Sequence, residues 1–513
     1  MTPDEFRVHG HAMIDWIAGY WERLGKGGDG EPEFPVLSQV RPGEIAAGLP
    51  LEAPEEPEAW AKIVGDVDAL IMPGITHWQS PSFFAYFPAN GSGPALLGDL
   101  LSGGLGVNGM LWATSPAATE LETRVLDWMA ALIGLPAGFH STSRGGGGVI
   151  QGTASESTLI AMLAARERAR RLEGRVGAQP GPASDESGGA ARPVQVSNQN
   201  VEDRFVVYTS TQAHSSIIKG AMVAGIAIGP NDRRRVRLIQ TDERLAMDPR
   251  LLEEAMETDR AAGLIPGYVC ATVGTTSSGA IDPVKVIGAI CKRHGAWLHV
   301  DAAYAGAACV CPEHRWMLDG IELADSMCFN PHKWLLTNFD CDLFWTQDKA
   351  SVTGALSITP EYLRNAASEA GAVIDYRDWQ IPLGRRFRAL KLWFVIRHYG
   401  ASGLRAFVSE HIRLAELFEQ KIRDDERFEI SAPRSLSLVC FRLKGDGEHG
   451  DQKNNALLAA INASGRAYLT HTVLLGADGH GRVVLRLAIG ATMTQERHVE
   501  AVWELIQACA EVI

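Results

Sequence analysis

Hydrophobic residues along the chain change their spacing between its start and its middle. Over residues 3–24 they recur at steps of three or four, from Phe6 to Leu24, and this spacing predicts one amphipathic helix. The Pro- and Glu-rich segment that follows, to about residue 58, offers this helix no local partner. We therefore expect its apolar stripe to pack on another domain or on another subunit.

From about residue 146, short apolar or β-branched runs alternate with helical segments. The runs are GVIQG, RFVVYTS, RVRLIQ, YVCATVGTT, AWLHVDAA and DSMCFN. Between them lie segments such as DPRLLEEAMETDRAAG, in which Asp248 is a predicted N-cap and Pro249 the first helical residue. This alternation predicts an α/β fold with a mainly parallel sheet that helices cover on both faces.

The length of 513 residues predicts two or three domains. We expect an N-terminal helical segment at 1–92, a large domain at 93–391 and a smaller C-terminal α/β domain at 392–513 that contains the run RVVLRLAIG. Residues 174–203 are rich in Gly, Pro, Ala, Ser and Asn, and this composition predicts a mobile surface insertion.

Composition and charge favour small-molecule chemistry. A net charge of −13 leaves no excess of Lys and Arg to neutralise phosphates, which disfavours nucleic acid and anionic membranes as partners. The eight cysteines are scattered, the start is not a basic segment followed by an apolar one, and no apolar run reaches about 18 residues. These features predict reduced thiols in a cytoplasmic protein. The run CVCPEHR lacks a second ligand pair, so we expect no metal.

Polar residues stand directly after several of the predicted strands, and ligands of open α/β sheets bind at that edge. After the first strand, Thr153, Ala154 and Ser155 open a predicted helix, whose free N–H groups and dipole favour a phosphate. The glycines before it lack the GxGxxG and GxxxxGK[ST] spacings, which disfavours a dinucleotide or P-loop site. The polar residues after later strands are His214, Thr275, Thr276, Asp301, Asn330, His332 and Lys333.

Lys333 lies within an otherwise apolar and aromatic run, so we expect it to be buried, and a buried lysine seldom lacks a partner or a function. A phosphate cradle, an imidazole, a carboxylate and a lysine at strand ends meet the requirements of pyridoxal 5'-phosphate (PLP). Desolvation lowers a lysine pKa from about 10.4 and makes the amine a nucleophile. A carboxylate such as Asp301 keeps the pyridine nitrogen protonated, so that the ring accepts electrons.

Several long motifs resemble those of the aromatic L-amino acid decarboxylases, which are group II PLP-dependent decarboxylases. The motifs include GVIQGTASES, QAHSS, GTTSSGAID, HVDAAYAG and NPHKW. The resemblance extends over nearly the whole chain and implies a PLP-dependent transferase fold of the aspartate-aminotransferase type (fold type I). It also implies a homodimer in which the N-terminal helices clasp the partner, which would cover the stripe of the first helix.

The resemblance implies a role for each residue at the strand ends. Lys333 matches the Schiff-base lysine, Asp301 the partner of the pyridinium nitrogen, and His214 the imidazole that stacks on the cofactor ring. His332 is similar to a residue implicated in proton handling, and Tyr362 matches the loop tyrosine that protonates Cα. The residues that match phosphate or ring contacts are Thr153, Ala154, Ser155, Thr276 and Asn330.

The segment HWQSPSFFAYFPA is a dense aromatic patch, which suits an aromatic substrate better than a carboxylate side chain. The resemblance implies that Trp78, Tyr86, Phe87 and Pro88 line the substrate pocket, whereas we expect Phe83 and Phe84 to be core.

Three further positions bear on the choice of substrate. Gly384 matches a position where glycine leaves room for an indole ring and serine accompanies phenolic substrates. Ala89 replaces a threonine that contacts the catechol in the animal enzymes, and Met110 replaces a phenylalanine that the partner subunit contributes there. These differences favour tryptophan, with phenylalanine, tyrosine and DOPA as further candidates.

Three alternatives remain. A PLP-dependent aromatic aldehyde synthase would share this scaffold, but such relatives commonly carry Phe or Asn where this chain has Tyr362 and His214, so amine formation is favoured. A glutamate-type decarboxylase would need a basic residue for the distal carboxylate of its substrate. A cofactor-binding protein without catalysis would release no amine from any aromatic amino acid.

Overall fold

The chain forms two compact units in its computed structural model. The larger unit is Ser92–Val408, and the smaller unit combines Met1–Gly91 with Ser409–Ile513. Most of the predicted insertion at 174–203 lies outside the described residues, and so does Tyr362. The described residues are 1–25, 32–177, 201–358, 373–475 and 479–513.

A seven-stranded sheet forms the centre of the larger unit. Its strands are β1 (Gly147–Gln151), β2 (Phe205–Ser210), β3 (Val236–Ile239), β4 (Ile265–Thr272), β5 (Trp297–Asp301), β6 (Ser326–Phe329) and β7 (Asp342–Thr346). The strand order is β1-β7-β6-β5-β4-β2-β3. Five neighbouring strands of the sheet are parallel to one another, namely β3, β2, β4, β5 and β6. Strand β7 runs antiparallel to both β6 and β1. The mainly parallel sheet and its six predicted strands are confirmed, and β7 is an addition to them.

Helices alternate with these strands, as the hydrophobic spacing predicts. Asp248 caps its helix by accepting the backbone N–H groups of Arg250 at 2.8 Å and Leu251 at 3.4 Å, which confirms the predicted helix start. The helices of the larger unit are α4 (Gly93–Leu105), α5 (Pro116–Ile133), α6 (Ala154–Gly177), α7 (Val201–Arg204), α8 (Ser216–Val223), α9 (Pro249–Ala261), α10 (Val284–His294), α11 (Pro331–Trp334) and α12 (Lys349–Leu356).

The core of the larger unit explains why its strands are so apolar. All side chains of β1, β2, β5, β6 and β7 are buried, because helices cover the sheet and leave no solvent-facing side. Ile160 of α6 packs in one cluster with Phe205, Trp297 and Phe344. Every cysteine is free, and seven of the eight are buried, in agreement with the predicted reduced core thiols.

A four-stranded antiparallel sheet forms the centre of the smaller unit, in the order β10-β11-β9-β8. Its strands are β8 (Phe428–Ile430), β9 (Leu438–Leu443), β10 (Thr470–Leu475) and β11 (Gly481–Ala488). The predicted strand RVVLRLAIG corresponds to β11. Phe84, Phe418, Phe441 and Trp503 are core residues here, which confirms the assignment of Phe84 to the core.

The remaining helices are α1 (Pro3–Gly25), α2 (Glu44–Gly48), α3 (Trp60–Asp66), α13 (Arg388–Asp424, interrupted at Gly400), α14 (Gly447–Ala463) and α15 (Glu496–Glu511). The predicted helix at 3–24 is confirmed as α1, and Leu24 is its one buried residue. Phe6 and Ile14 of its apolar stripe are exposed, whereas Met13, Ile17 and Trp21 are half-buried. Among the described residues, no helix has the length and apolar character needed to cross a membrane.

Candidate active site

The strand register places several polar residues along one edge of the larger sheet. Asp301, the last residue of β5, pairs with Thr272 at the end of β4 and with Cys328 of β6. Because β7 is antiparallel, its first residue, Asp342, reaches the same edge and pairs with Gln151 at the end of β1. This carboxyl edge is where sheets of this kind bind ligands.

Asp301, His214 and Lys333 lie close enough at this edge for their charges to interact. Asp301 is 4% exposed, and its Oδ1 accepts the backbone N–H of Ala303 at 3.0 Å. Desolvation lowers the pKa of His214, the nearby carboxylate of Asp301 opposes this shift, and the ammonium of Lys333 adds to it. The structure therefore brings together the predicted lysine, carboxylate and imidazole.

Lys333 lies in α11, one turn of helix that begins directly beyond the sheet edge. The backbone N–H of Lys333 donates to the carbonyl of Asn330 at 3.0 Å, and the N–H of Asn330 donates to the carbonyl of Ala303 at 3.0 Å. Trp334 is buried and stacks on Tyr304 with ring centroids 5.0 Å apart. Lys333 itself is half-buried, whereas the other three residues of α11 are buried.

Hydrogen bonds fix the tautomers of the two predicted site histidines. The backbone N–H of Cys341 donates to His332 Nδ1 at 2.9 Å, and that of Ser216 donates to His214 Nδ1 at 3.1 Å. Each Nδ1 is therefore unprotonated, and each neutral ring carries its proton on Nε2. Burial, with the nearby charge of Lys333, lowers the pKa of His332 to about 3, so this ring is neutral at ordinary pH.

The residues of the predicted phosphate cradle lie at the start of α6. The helix begins at Ala154, with Thr153 half-buried before it and Ser155 exposed in its first turn. Backbone N–H groups at a helix start have no partner within the helix and attract anions. Thr276 is exposed, whereas its neighbour Thr275 is buried and lies 3.1 Å from Ser278 through their hydroxyl oxygens.

Asn330 supplies a test of whether PLP fits this edge. Its side chain is buried, yet its Oδ1 has no hydrogen-bond partner among the residues that the structure describes. A buried amide without a partner costs free energy that a ligand can recover. Together with the start of α6, Asp301 and Lys333, this amide suits a cofactor with a phosphate, a ring nitrogen and a lysine-reactive carbonyl.

Sequence reasoning missed two polar side chains near Asp301. Asp342 is fully buried and hydrogen bonds through Oδ2 to Ser157 Oγ. His299, two residues before Asp301, is also fully buried, and its Nδ1 lies 2.9 Å from Ser326 Oγ. Burial lowers the pKa of His299 to about 4. The signal for Asp342 was a single acidic residue at the start of the apolar run DLFW.

The predicted aromatic substrate residues lie in the smaller unit. Trp78 stacks on Tyr86 with ring centroids 5.6 Å apart and planes 13° apart, and it also stacks on Phe83 at 4.5 Å. Phe87 and Pro88 are buried, whereas Trp78 is 38% and Tyr86 48% exposed. Phe83 is fully buried, which confirms that it is core. Tyr86 adopts φ +54°, which is unusual for a bulky residue.

Met110 and Gly384 lie in two neighbouring segments of the larger unit. The carbonyl of Met110 accepts the backbone N–H of Arg377 at 3.0 Å, and Asn108 Oδ1 accepts that of Arg385 at 2.9 Å. A Cβ atom at Gly384 would lie 3.6 Å from Asn108 Nδ2, an ordinary van der Waals distance. The structure thus brings Met110 and Gly384 close in one region with space for a small side chain.

A buried ion pair holds this region in place. Arg385, next to Gly384, donates from both terminal nitrogens to the carboxylate of Glu122 at 2.8 Å and from Nε to Gln380 Oε1 at 2.8 Å. Glu122 also accepts the backbone N–H of Ile150 in β1 at 2.8 Å. A bidentate pair of this kind fixes the backbone around Gly384.

A fold of the aspartate-aminotransferase type, with a lysine, a buried carboxylate and a helix start at one sheet edge, defines a PLP-dependent enzyme. The Pyridoxal-dependent decarboxylase conserved domain matches residues 42–444, and the chain belongs to this family. It is a carboxy-lyase with PLP as its cofactor.

Relatives match over nearly the full chain. Phenylacetaldehyde synthase of Arabidopsis thaliana is 47% identical over 99% of this chain and 96% of its own length. Tryptophan decarboxylase 2 of Oryza sativa subsp. japonica is 46% identical over 99% of this chain and 95% of its own length. The solved structure of Oryza sativa TDC with PLP and tryptamine has a TM-score of 0.90 at 39% identity, and covers 100% of this chain and 99% of that one.

Proposed function

We propose that the protein decarboxylates an aromatic L-amino acid to carbon dioxide and the arylalkylamine. Tryptophan is the favoured substrate, with phenylalanine, tyrosine and DOPA as further candidates. The observation that carries this proposal is the half-exposed stack of Trp78 on Tyr86, a flat apolar surface for an aromatic ring. The tryptophan decarboxylase relative and the relative solved with tryptamine support the choice of tryptophan.

In the proposed mechanism, bound PLP supplies an electron sink for the bond that releases carbon dioxide. Lys333 would hold the cofactor through its amine. Asp301 would hold a proton on the ring nitrogen, and its hydrogen bond from Ala303 keeps the carboxylate in place. His214 would contact the ring with a neutral imidazole. The residues that would bind the phosphate are Thr153, Ala154, Ser155 and Asn330, and Thr276 would contact the ring.

The fate of the substrate Cα decides between the two candidate products. We propose that Tyr362, helped by His332 with its proton on Nε2, delivers a proton to Cα, which gives the amine. Without this step, dioxygen can react at the same carbon and give an aldehyde. Because one relative is a phenylacetaldehyde synthase, aldehyde formation is the alternative function. The presence of Tyr362 and His214 favours the amine.

We also propose a cytoplasmic homodimer. Phe6 and Ile14 of α1 are exposed, and α4 exposes the side chains of Leu97, Leu100, Leu101 and Leu105. Leucines in such numbers on one surface helix are typical of a protein interface. Sedimentation at micromolar concentration should give twice the mass of one chain, and Leu100→Asp with Leu101→Asp should shift it toward monomer. A monomeric wild type would contradict the dimer.

One product assay tests the function. The holoenzyme is incubated with tryptophan, tyrosine, DOPA, phenylalanine and glutamate, and carbon dioxide, amine, hydrogen peroxide and ammonia are measured. We expect amine in step with carbon dioxide, fastest with tryptophan. Peroxide and ammonia in step with carbon dioxide would establish the aldehyde synthase instead. Turnover of glutamate alone would overturn the aromatic substrate, and a bound cofactor without any amine would contradict catalysis.

A further inference from the structure

Asp342 reaches the carboxyl edge of the larger sheet because β7 runs against its neighbours. Its backbone pairs with Gln151 on one side, and the pairing of Phe329 with Leu343 places it beside Asn330 on the other. A parallel strand would have put its first residue at the opposite edge of the sheet. The reversed strand therefore adds a second buried carboxyl to the site, on the strand next but one to that of Asp301.

The two carboxyl groups differ in their hydrogen bonds. Asp301 accepts a backbone N–H from Ala303, a donor that stabilises the ionised form. Asp342 has a hydroxyl partner, Ser157, and its Oδ1 has no partner among the described residues. A hydroxyl can accept as well as donate a hydrogen bond, so it also suits a protonated carboxyl. Burying an ionised carboxylate with one oxygen unsatisfied is unfavourable.

The charges that face Asp342 favour the same protonation state. Burial raises the pKa of Asp342 well above its ordinary range, and the negative charges of Asp301 and Glu156 add to this effect. The hydrogen bond from Ser157 and the ammonium of Lys333 oppose it. Cys328 on β6 is a neutral thiol, because burial raises its pKa well above the usual value. Two like charges in one dry site seldom ionise together.

Ser157 connects Asp342 to the predicted phosphate cradle. It lies in the first turn of α6, and its backbone N–H donates to the carbonyl of Thr153 at 3.3 Å. Its side chain is fully buried, so the hydroxyl has few other partners. The Ser157–Asp342 hydrogen bond thus joins the helix start to the sheet edge that carries Asp301 and Lys333.

We propose that Asp342 is a positioning residue of the cofactor site, a neutral carboxyl that ties the start of α6 to the sheet edge and leaves Asp301 as the anion of the pair. The proposal rests on the proposed roles of Lys333 and Asp301. It adds an electrostatic and a geometric function to a residue that does not itself contact the reacting atoms.

The charge is tested with Asp342→Asn, which keeps the shape and the hydrogen bond to Ser157 but cannot ionise. The visible absorbance of the PLP holoenzyme is titrated with pH. Because a neutral group is replaced by a neutral group, we expect the midpoint within about 0.3 pH unit of wild type. A midpoint lower by about one unit or more would show that Asp342 is an anion beside Lys333 and would overturn its neutral role.

The connection between the start of α6 and the sheet edge is tested with Asp342→Ala and Ser157→Ala, each of which removes the hydrogen bond between Ser157 and Asp342. We expect each variant to bind PLP about five- to tenfold more weakly, and the double variant to be no worse than the weaker single one. Binding of pyridoxal, which lacks the phosphate, should change less than about twofold. PLP binding as tight as wild type in both single variants, or an equal loss for pyridoxal, would overturn the positioning role.

Ser141→Ala is the matched control, because Ser141 Oγ donates to Asp127 Oδ2 at 2.5 Å in the same unit. It should leave PLP binding unchanged, and thermal melts report folding in every variant.

Lys333→Ala tests the proposed role of Lys333 separately from the proposed role of Asp342. If the absorbance of the lysine-bound cofactor survives Lys333→Ala, the role of Lys333 fails and the proposal fails with it. If that absorbance is lost, the Asp342 and Ser157 variants alone decide.

Discussion

The carboxyl edge of the larger sheet and the aromatic segment of the smaller unit hold their side chains in different ways. At the sheet edge, Asp301 and His332 are buried and each accepts a backbone N–H. In the aromatic segment, Trp78 and Tyr86 are 38% and 48% exposed and contact each other through their ring faces. Hydrogen bonds from the backbone fix the first region, whereas ring stacking holds Trp78 in the second, where Tyr86 also hydrogen bonds to Tyr468 through their hydroxyls at 3.1 Å.

This difference separates two parts of the function. The position of charge around a cofactor sets the reaction, and small displacements there are costly. An apolar stacking surface sets a preference among similar rings, because each aromatic contact contributes only about 0.5–1.5 kcal/mol. Substitutions at the sheet edge should therefore change whether the reaction occurs, and those in the aromatic segment should change which substrate is preferred.

The largest effect is expected for Lys333→Ala. Without the amine the cofactor has no covalent anchor, and kcat/KM should fall by at least about 10⁴-fold, or about 5.5 kcal/mol. Activity is measured as amine released, and binding as visible absorbance of the cofactor. Lys349→Ala, at the start of α12 in the same unit, is the control and should leave both quantities unchanged. Residual activity above one per cent of wild type would contradict the assignment.

Asp301→Asn should have the next largest effect. Asparagine can still accept the N–H of Ala303, so the fold is kept while the charge is lost. We expect kcat to fall by about 10²–10³-fold, the usual cost of one misplaced charge-stabilising group. Asp282→Asn serves for comparison, since Asp282 is also buried and accepts two backbone N–H groups at 2.7 Å. It should lower thermal stability and retain activity per folded molecule, and an equal loss in both variants would point to stability alone.

Asp342→Asn gives a smaller effect that depends on pH. The pKa of Asp342 is raised in the folded protein, so the folded state keeps the proton on this carboxyl above about pH 4, where the unfolded state has lost it. The contribution of Asp342 to the free energy of unfolding of wild type therefore falls as pH rises above about 4. The variant lacks this dependence. Its stability relative to wild type should therefore grow by up to about 1.4 kcal/mol per pH unit until the folded pKa is reached. Urea unfolding from pH 5 to 8 measures it, and a constant difference would show that Asp342 is ionised throughout.

Trp78→Leu should change catalysis moderately. Loss of the stack on Tyr86 should lower kcat/KM for aromatic substrates by about 2–10-fold, mainly through KM, and leave cofactor absorbance unchanged. Trp128, which is also 38% exposed but lies in α5, provides the matched control Trp128→Leu. A loss that falls on kcat with no change in KM would mean that Trp78 acts on the chemistry and not on substrate binding.

Gly384→Ser should have the smallest effect on the fold. A serine Cβ meets only Asn108 at 3.6 Å, so the melting temperature should change by less than about 2 °C. The ratio of tryptophan to tyrosine turnover should fall, because the hydroxymethyl group takes up space that an indole would use. Gly295, whose Cβ would meet open space but at φ +71°, offers Gly295→Ser as a strained control that should lower stability without changing the ratio. An unchanged ratio in Gly384→Ser would remove this position from substrate choice.

Much of the carboxyl edge could be predicted because parallel strands end at the same side of a sheet. The residues after β1, β2, β5 and β6 were collected by that rule, and the structure brings Asp301, His214 and Lys333 together. The cap at Asp248 and the burial of Phe83 and Phe84 also followed from local pattern. These features depend on residue type and near neighbours, which a sequence displays directly.

Features that depend on strand direction could not be predicted in the same way. The run DLFW at the start of β7 looks like any buried strand, and nothing in its letters shows that it runs antiparallel. Asp342 was missed for that reason. The burial of Lys333 was predicted wrongly for another reason, because apolar neighbours in the sequence do not show how far one side chain of a helix is exposed. Tyr86, which stacks on Trp78, has a left-handed backbone conformation that its sequence does not signal.

The reversal of β7 also affects how the site assembles during folding. β6 and β7 are neighbours in both sequence and space, so Asn330, His332, Lys333 and Asp342 arrive on one hairpin-like segment. Closing such a short segment costs little chain entropy, whereas Asp301 and His214 must be brought in by crossovers through whole helices. We therefore expect hydrogen exchange during refolding to show β6 and β7 protected together, before the other strands of the sheet. The site residues near these two strands would then be in place before Asp301 and His214.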